Sequence, residues 1–408
     1  MNVVFQPSRA SGTVSAPPSK SYAHRCLICA ALADGESRIE GISESDDIAA
    51  TLTCLRTLGT RINVSENGTA TVRGFDRSVV RGSGRRFDLP PLPLDCYESG
   101  STLRFLIPLA MSLKGKTVFT GTERLLSRPL GVYEKIAAEQ GLTFARSARS
   151  LTVCGGLRPG DFVISGAESS QFASGLLLAL PLLHGDSTLT VLPPVTSAPY
   201  MEMTLSVLRT FGIRIERKGQ YSYSVPGDQT YRPSSFTVEG DWSNAAALLA
   251  LSPEVTVTGL DPDSLQGDKI AVRHLEALRS GTPEIDLTDC PDLGPVLFAV
   301  AALEHGAVFT GTARLREKES DRVAAMEEEL KKCGVTLSVG KDSVTVPGGQ
   351  LRAPSVPLSS HNDHRIVMAL SVILSRFGGV LDGAEAVNKS FPAYYDTLKT
   401  LGLSASLL

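Results

Sequence analysis

Apolar residues recur along the chain in two alternating patterns. In the first, an apolar stripe at helical spacing starts near Pro, Asp or Gly and stops at a glycine, the residue that best tolerates the left-handed conformation just beyond a helix. This pattern predicts six amphipathic helices, over residues 46–59, 129–141, 199–212, 267–281, 321–334 and 392–402. Alternating segments after several of them predict short strands, for example over residues 61–64, 213–216 and 335–338.

The second pattern is a segment of small residues that is apolar on nearly every side, which is typical of a helix buried all round. A polar stretch precedes each such segment and predicts the N-cap of the helix. These six polar entrances lie at residues 21–25, 99–102, 169–171, 241–244, 291–292 and 362–365.

The two patterns together form a repeating unit of buried helix, strand, amphipathic helix and further strands. The unit recurs six times at a spacing of roughly 70 residues, and a few units must stack to bury a continuous core. The economical grouping is two domains of three units, one over residues 15–230 and the other over 1–14 with 231–408, joined by two crossovers. The alternative from the pattern alone is an ordinary doubly wound α/β sheet whose helix periods coincide by chance.

Composition and charge narrow the class of protein. The 408 residues are 42% hydrophobic and 20% charged, as in a globular protein with a large core, and contain no apolar run long enough to span a membrane. The net charge of −3 gives no overall basic field for nucleic acid. Seven scattered cysteines and an N-terminus without a signal or transit pattern predict a reducing, cytoplasmic location. We therefore expect a cytoplasmic protein without nucleic-acid or membrane partners.

The candidate chemistry is a set of cations at or near the polar helix entrances. A helix N-terminus carries a partial positive charge and unpaired N–H groups, so it binds anions. The cations near such positions are Lys20, Arg25, Arg104, Arg128, Lys318, Arg322, Arg365 and Lys389. Any one of them alone is more simply a solvated or salt-bridged side chain, but the set predicts a basic cleft in an acidic surface.

Other motifs are absent or carry a simpler interpretation. The chain has no P-loop, no dinucleotide-binding fingerprint and no nucleophile elbow. The glycines at 82 and 84 lie in an arginine-rich stretch and predict a loop. His361 and His364 have no further metal ligands at matching spacing, so we expect no metal site. Cys26 and Cys29 lie within an apolar segment, so we expect them to pack in the core. Ser169 and Asp292 could serve as helix caps as well as ligand contacts.

Seven motifs, in order from about residue 7 to the C-terminus, together resemble the 5-enolpyruvylshikimate-3-phosphate synthase family. They are Pro18-Ser19-Lys20-Ser21 with Arg25, residues 98–104, Ser127-Arg128-Pro129-Leu130-Gly131, residues 169–172, residues 318–322, residues 362–365 and Lys389-Ser390-Phe391-Pro392. The resemblance implies a two-domain inside-out α/β barrel of six βαβαββ-type repeats with buried helices. It also implies transfer of the enolpyruvyl group of phosphoenolpyruvate to the 5-hydroxyl of shikimate 3-phosphate, with release of phosphate, in the shikimate pathway.

By the same resemblance, the motif residues divide between the two substrates. Those implied to bind shikimate 3-phosphate are Lys20, Ser21, Arg25, Ser169, Ser170, Gln171, Ser197, Tyr200, Asp292 and Lys318. Those implied to bind phosphoenolpyruvate are Lys20, Gly100, Arg128, Gln171, Arg322, Arg365 and Lys389. Asp292 would accept the hydroxyl proton and Glu319 would protonate the methylene carbon, with Lys20 and Lys318 as further catalytic groups. The family uses no metal or organic cofactor and is the target of the inhibitor glyphosate. By the resemblance we expect no cofactor here and a monomeric protein.

Two positions depart from the family pattern, and two other functions stay open. Glu98 and Arg314 stand where many members carry Asn. The related UDP-N-acetylglucosamine enolpyruvyl transferases are the enzymatic alternative, against which Ser-Lys-Ser with Ser-Ser-Gln favours a phosphorylated shikimate. A non-catalytic anion-binding protein is the other, but it would not need Asp292 together with Glu319.

Overall fold

The structure is a computed structural model that describes residues 1–75, 91–113 and 115–407. The glycines at 82 and 84, predicted to form a loop, lie outside the described residues.

Helices and strands alternate along the described chain. The α-helices are α1 Lys20–Leu32, α2 Asp46–Thr57, α3 Gly100–Ser112, α4 Glu123–Ser127, α5 Gly131–Gln140, α6 Ser170–Ala179, α7 Pro199–Thr210, α8 Trp242–Leu251, α9 Ala271–Ser280, α10 Gly294–Leu303, α11 Arg322–Lys332, α12 His364–Phe377 and α13 Tyr394–Thr400. The strands are β1 Asn2–Gln6, β2 Gly12–Ser15, β3 Glu36–Glu40, β4 Arg61–Val64, β5 Ala70–Arg73, β6 Leu92–Asp95, β7 Lys116–Thr120, β8 Thr143–Arg146, β9 Leu151–Cys154, β10 Asp161–Ser165 and β11 Ser187–Leu192. The remaining strands are β12 Glu216–Gly219, β13 Ser222–Val225, β14 Ser235–Thr237, β15 Val255–Thr258, β16 Glu284–Asp286, β17 Gly306–Thr310, β18 Ser338–Val339, β19 Ser343–Pro347, β20 Leu358–Ser359, β21 Gly379–Asp382 and β22 Ser404–Leu407.

The sheets repeat one arrangement. Each four-stranded sheet of the described residues begins with a parallel pair and continues with two antiparallel pairs, in the orders β14-β3-β5-β4, β6-β7-β9-β8, β10-β11-β13-β12, β16-β17-β19-β18 and β20-β21-β1-β22. The sixth repeat has the parallel pair β15-β2 with α8 and α9. The prediction of six βαβαββ-type repeats is therefore confirmed, and the alternative of one doubly wound sheet is wrong, because the strands form separate small sheets.

The helices predicted to be buried are α1, α3, α6, α8, α10 and α12. Nearly every residue of these helices is buried, as their lack of a polar face requires. Side chains of Ser99, Ser169, Asp241 and Asp363 accept backbone N–H groups at four of the helix starts, so the predicted polar entrances do cap helices. Three of the six nevertheless bury an arginine near their start: α1 and α3 bury Arg25 and Arg104 about one turn in, and α12 buries Arg365 as its second residue.

The amphipathic helices end at the predicted glycines. Five of these glycines are left-handed, with φ between 69° and 102°, at Gly59, Gly141, Gly212, Gly334 and Gly402. The sixth differs, because Gly281 has φ 173° and is extended.

The predicted strand over Arg61–Val64 is confirmed, whereas the two over 213–216 and 335–338 begin later. The amide of Ile213 bonds to the carbonyl of Leu208, and that of Val335 to the carbonyl of Leu330, so both still close the preceding helix. The strands therefore start only at Glu216 and Ser338.

The chain divides into two compact units, residues 20–238, called here the first unit, and residues 1–19 with 239–408, called the second unit. Each has a hydrophobic core of its own around its buried helices. The predicted domain limits at residues 14 and 230 stay a prediction. No helix in the described part of the chain is both long and apolar enough to cross a membrane.

Candidate active site

Among the described residues of the first unit, Arg25 is the most deeply buried cation. Its guanidinium is 2% exposed and donates to Thr204 Oγ1 at 2.7 Å, to Ser174 Oγ at 3.3 Å and to backbone carbonyls of Ser21 and Tyr200. All of these partners are neutral, and among the described residues no carboxylate lies within ion-pair distance of it. Burial lowers the pKa of Arg25 to about 10. A charge held this way is ready to bind an anion or a ring of hydroxyl groups.

Lys20 begins the same helix, α1, and is not left to solvent. Its Nζ lies 2.6 Å from Oδ2 of Asp47 in the first turn of α2, and both side chains are largely buried. Ser21 follows it and is half-buried. The pairing predicts that a substrate anion at Lys20 must compete with a resident carboxylate.

A chain of hydrogen bonds links His24 of α1 to three hydroxyl groups of the first unit. His24, fully buried, shares a 2.7 Å hydrogen bond with Thr51, whose hydroxyl lies 2.6 Å from that of Thr102, which in turn donates to Ser99. Burial, with Lys20 and Arg25 nearby, holds the pKa of His24 well below its usual value, so its imidazole adds no charge to the cluster. The chain joins the start of α1 to the start of α3.

The starts of α3 and α6 meet through Gln171. Its amide donates to Ser101 Oγ at 2.9 Å and accepts from Arg104 at 2.8 Å, so both ends are fixed. Arg128, 8% exposed, lies against Gly100, where an added Cβ would approach its Nη1 to 2.5 Å. The structure therefore brings these predicted residues to one pair of helix ends.

The remaining predicted residues of the first unit lie at the starts of α6 and α7. Ser169 caps α6 through the amide of Gln171, and Ser170 is its first residue; both are 7% exposed. Ser197, 2% exposed, has φ +56° and bonds through its carbonyl to the amide of Tyr200 in the first turn of α7. Capping and ligand contact are compatible at Ser169, because its hydroxyl accepts from the helix and can still donate its proton.

In the second unit, Asp292 lies among three cations. Its Oδ1 is 3.0 Å from Lys318 Nζ and 2.9 Å from Arg322 Nη1, and its Oδ2 is 3.7 Å from Arg365 Nη2. Burial alone would raise the pKa of Asp292, but the attraction of these cations outweighs it and holds the pKa well below its ordinary value. The carboxylate is therefore ionised.

Lys318 responds in the opposite direction to the same surroundings. Burial lowers its pKa to about 8; Asp292 opposes that shift, and the neighbouring Arg314 and Arg322 add to it. Arg314, where the family pattern has Asn, is therefore close enough to act on Lys318 electrostatically.

Arg322 contacts three carboxylates of the second unit, those of Asp292, Glu319 and Asp363, and is 1% exposed. Its Nε lies 2.9 Å from Asp363 and its Nη2 lies 2.8 Å from Glu319. Burial works against its charge, yet these carboxylates raise the pKa of Arg322 further, so it is always charged. Ser320 also donates to Asp363, at 3.0 Å.

Neutral oxygens also accept hydrogen bonds from Arg365, in addition to its contact with Asp292, and from Lys389. Arg365 donates from Nη1 to Asn244 Oδ1 at 2.9 Å, while its buried Nε has no partner among the described residues. Lys389, 4% exposed, donates to the carbonyl of Asn362. The unpartnered Nε of Arg365 favours an anionic ligand.

The predicted residues thus gather into two clusters, one in each unit. Sequence reasoning missed the partners that hold the cations, which are Asp47, Ser174, Thr204, Asn244 and Asp363 in its role toward Arg322. Asp47 and Asn244 had a visible signal, because both lie in the first turn of a predicted helix. Ser174 and Thr204 had none, because a hydroxyl inside an apolar helix gives no pattern. Glu98, a departure from the family pattern, is half-buried beside Ser99.

Separate α/β repeats whose buried helices begin at clustered cations, with an ionised carboxylate among them, define an enzyme that acts on small anionic substrates. Comparison with known proteins gives the family. The sequence model of EPSP synthase (3-phosphoshikimate 1-carboxyvinyltransferase) matches residues 4–398.

Curated relatives agree over almost the whole chain. A 3-phosphoshikimate 1-carboxyvinyltransferase of Clostridium kluyveri is 38% identical, over 98% of this chain and 97% of its own. That of Clostridioides difficile is 36% identical, over 97% and 96%. The solved structure of EPSP synthase from Acinetobacter baumannii superposes with a TM-score of 0.77 over 100% of both chains, at 23% identity, and so supports the fold. The chain belongs to the EPSP synthase family.

Proposed function

We propose that this chain carries out the reaction of its family, the transfer of the enolpyruvyl group of phosphoenolpyruvate to the 5-hydroxyl of shikimate 3-phosphate, with release of phosphate, in the shikimate pathway to aromatic amino acids. The observation that carries the proposal is Asp292, an ionised carboxylate within ion-pair distance of Lys318, Arg322 and Arg365. A proton acceptor surrounded by cations suits a reaction in which a hydroxyl attacks an anion.

The first physical task of the protein is to offset charge repulsion. Each substrate carries a phosphate of roughly −1.5 to −2, and phosphoenolpyruvate adds a carboxylate. Buried cations offset this charge far better than cations in water, because the effective dielectric constant is lower. Arg25, Arg322 and Arg365 are each at most 5% exposed, as this task requires.

Each substrate is assigned a set of residues, and Lys20 and Gln171 belong to both sets. Shikimate 3-phosphate is bound by Lys20, Ser21, Arg25, Ser169, Ser170, Gln171, Ser197, Tyr200, Asp292 and Lys318. Phosphoenolpyruvate is bound by Lys20, Gly100, Arg128, Gln171, Arg322, Arg365 and Lys389. The cations of both sets and the hydroxyl groups of the shikimate 3-phosphate set support the assignment, and no member of either set is exposed.

Asp292 accepts the proton of the 5-hydroxyl as its oxygen forms a bond to C2 of phosphoenolpyruvate. Its low pKa makes it a weak base in the unliganded protein. When the anions of phosphoenolpyruvate pair with Arg322 and Arg365, those charges are neutralised toward Asp292, and its pKa rises. Substrate binding itself thereby turns the carboxylate into a better base.

Glu319 delivers a proton to the methylene carbon, which becomes a methyl group in the tetrahedral intermediate. The C2–O bond to phosphate then breaks, and the leaving phosphate takes the proton that Asp292 had accepted. The methyl group returns its proton to Glu319 as the double bond reforms, so both carboxyl groups are restored. Lys318, 3.0 Å from Asp292, stabilises the carboxylate, and Lys20 is the further catalytic cation. Atoms balance without any metal or organic cofactor.

The surroundings of this reaction are part of the proposal. The protein acts as a monomer in the cytoplasm, without nucleic-acid or membrane partners. Its seven cysteines are unbridged and six of them are buried, which suits a reducing compartment. Its net charge of −3 suits small substrates bound by local cations better than nucleic acid.

The function is tested by phosphate release on mixing protein, shikimate 3-phosphate and phosphoenolpyruvate, with each substrate omitted in turn and metals chelated. The proposal expects release only with both substrates, and no effect of the chelator. Release with UDP-N-acetylglucosamine in place of shikimate 3-phosphate would contradict it in favour of the related transferase. Ligand binding without release would point to a non-catalytic anion-binding protein.

A further inference from the structure

Glu329 is a buried carboxylate that the reaction does not use. It lies in the last turn of α11, the helix that Arg322 begins, and its side chain is 0% exposed. A carboxylate near the C-terminal end of a helix is disfavoured by the helix dipole. Because burial adds a further cost, the position calls for a role beyond helix stability.

Four hydrogen bonds converge on this carboxylate. Oε1 accepts from Lys332 Nζ and from His361 Nε2, both at 2.7 Å. Oε2 accepts from Lys332 Nζ and from the backbone amide of Ser359, both at 2.9 Å. Two of the four hydrogen bonds therefore come from one short segment of chain, residues 359–363, called here the 359–363 turn.

The 359–363 turn has an uncommon backbone. His361 has φ +48° and Asn362 has φ +53°, two consecutive left-handed residues that are not glycine. Such a conformation persists only where the surroundings determine it. Within the turn, the hydroxyls of Ser359 and Ser360 accept the amides of His361 and Asn362, and Glu329 fixes it from outside.

Residues of the 359–363 turn bind the cations assigned to phosphoenolpyruvate. The carbonyl of Asn362 accepts from Lys389. Asp363 binds Arg322 through its carboxylate and accepts the backbone amide of Arg365. All of these contacts lie within the second unit.

We propose that Glu329 is a positioning residue for phosphoenolpyruvate, because it fixes the turn whose residues set the places of Arg322, Arg365 and Lys389. The inference rests on the proposed function and adds a residue to it.

A metal ion is the competing occupant of this cluster, since ligand atoms of Glu328, Glu329 and His361 lie within 4.8 Å of one another. However, the ammonium of Lys332 already donates to both oxygens of Glu329, so the cation at this cluster is the chain's own.

The test is steady-state kinetics of Glu329→Gln with each substrate varied in turn. The amide keeps the size of the side chain but presents N–H groups to donors. We expect the KM for phosphoenolpyruvate to rise on the order of tenfold, the loss of one charge-assisted hydrogen bond, while the KM for shikimate 3-phosphate changes less than about twofold. The matched control is Glu328→Gln, an exposed neighbour that forms an ion pair with Lys332 but no hydrogen bond to the 359–363 turn, and it should leave both values unchanged.

A second pair of variants covers the case in which Glu329→Gln does not fold. His361 is 24% exposed, so it tolerates change better. Glutamine places a donor where Nε2 lies, so His361→Gln should keep the KM for phosphoenolpyruvate near the wild-type value, whereas His361→Leu should raise it as Glu329→Gln does. Equal values in both His361 variants, or equal rises for both substrates, would overturn the inference. Absence of phosphate release by the wild-type protein would instead overturn the proposed function.

Discussion

Asp292 and Lys318 share one hydrogen bond, and their pKa values move in directions that suit different tasks. The carboxylate stays ionised through the neutral range because three cations surround it. The ammonium titrates just above neutrality because it is buried. Neither effect is visible in the sequence, since each depends on which charges the fold brings within about 4 Å.

Replacing Asp292 with asparagine should abolish most turnover while substrates still bind. The amide cannot accept the hydroxyl proton, and a general base contributes roughly a hundredfold to ten-thousandfold to the rate. Steady-state kinetics should show kcat lowered by that order, with KM for each substrate changed only a few-fold. The exposed Asp289→Asn is the control, and a wild-type kcat in Asp292→Asn would contradict the role of the carboxylate as base.

The pH dependence of activity should have an alkaline limb set by Lys318. Its pKa of about 8 means that the ammonium is present below pH 8 and is lost above it. We therefore expect kcat/KM for shikimate 3-phosphate to fall as pH rises from 7 to 9.5. Lys318→Arg, which stays charged throughout, should lack this limb even if its overall rate is lower. A flat wild-type profile, or an unchanged limb in the variant, would argue against a required ammonium.

A methyl group at Gly100 should affect one substrate only. The Cβ of Gly100→Ala would lie 2.5 Å from Nη1 and 3.1 Å from Cζ of Arg128, so the guanidinium must move. Because the end of a long side chain moves easily, the fold should survive. The KM for phosphoenolpyruvate should rise roughly several-fold, because one charged contact to that substrate is misplaced. An unchanged KM would show that Arg128 does not act on that substrate from this position.

At the scale of elements, the close approach of α3 and α6 depends on another glycine. The Cβ of Gly175→Ala would lie 2.6 Å from the backbone oxygen of Arg104 and 2.3 Å from the Tyr133 hydroxyl. Backbone cannot move aside as a side chain does, so we expect a loss of roughly 1–3 kcal/mol in the free energy of unfolding, the usual cost of overpacking. Urea denaturation measures it, with Gly100→Ala as the matched control; equal stability of the two variants would contradict this difference.

The elements themselves were largely predictable from the sequence. All six buried helices and all six glycine-terminated helices are present, because periodicity and C-terminal glycine act locally. The strands expected at residues 213 and 335 start later, since their amides close the preceding helix. The partners of the cations were not predictable: Thr204 meets Arg25 across 179 residues and Asn244 meets Arg365 across 121. Only tertiary packing decides such pairs.

At the scale of the whole molecule, the chain is two units with separate hydrophobic cores, and each carries its own cluster of buried cations. Buried charges cost stability unless they are paired. Arg322 is compensated by resident carboxylates, whereas Arg25 is held by neutral groups alone. We therefore expect Arg25 to find its counter-charge in a substrate.

The most direct test is a calorimetric titration of shikimate 3-phosphate into the wild-type protein and into Arg25→Gln, with the exposed Arg38→Gln as control. A role for Arg25 in binding this substrate predicts one binding site in the wild type and in the control. It also predicts binding weaker by roughly 30-fold or more in Arg25→Gln, the cost of removing one partner of a buried charged contact. Equal affinity of Arg25→Gln and wild type, or no binding by the wild type, would contradict it.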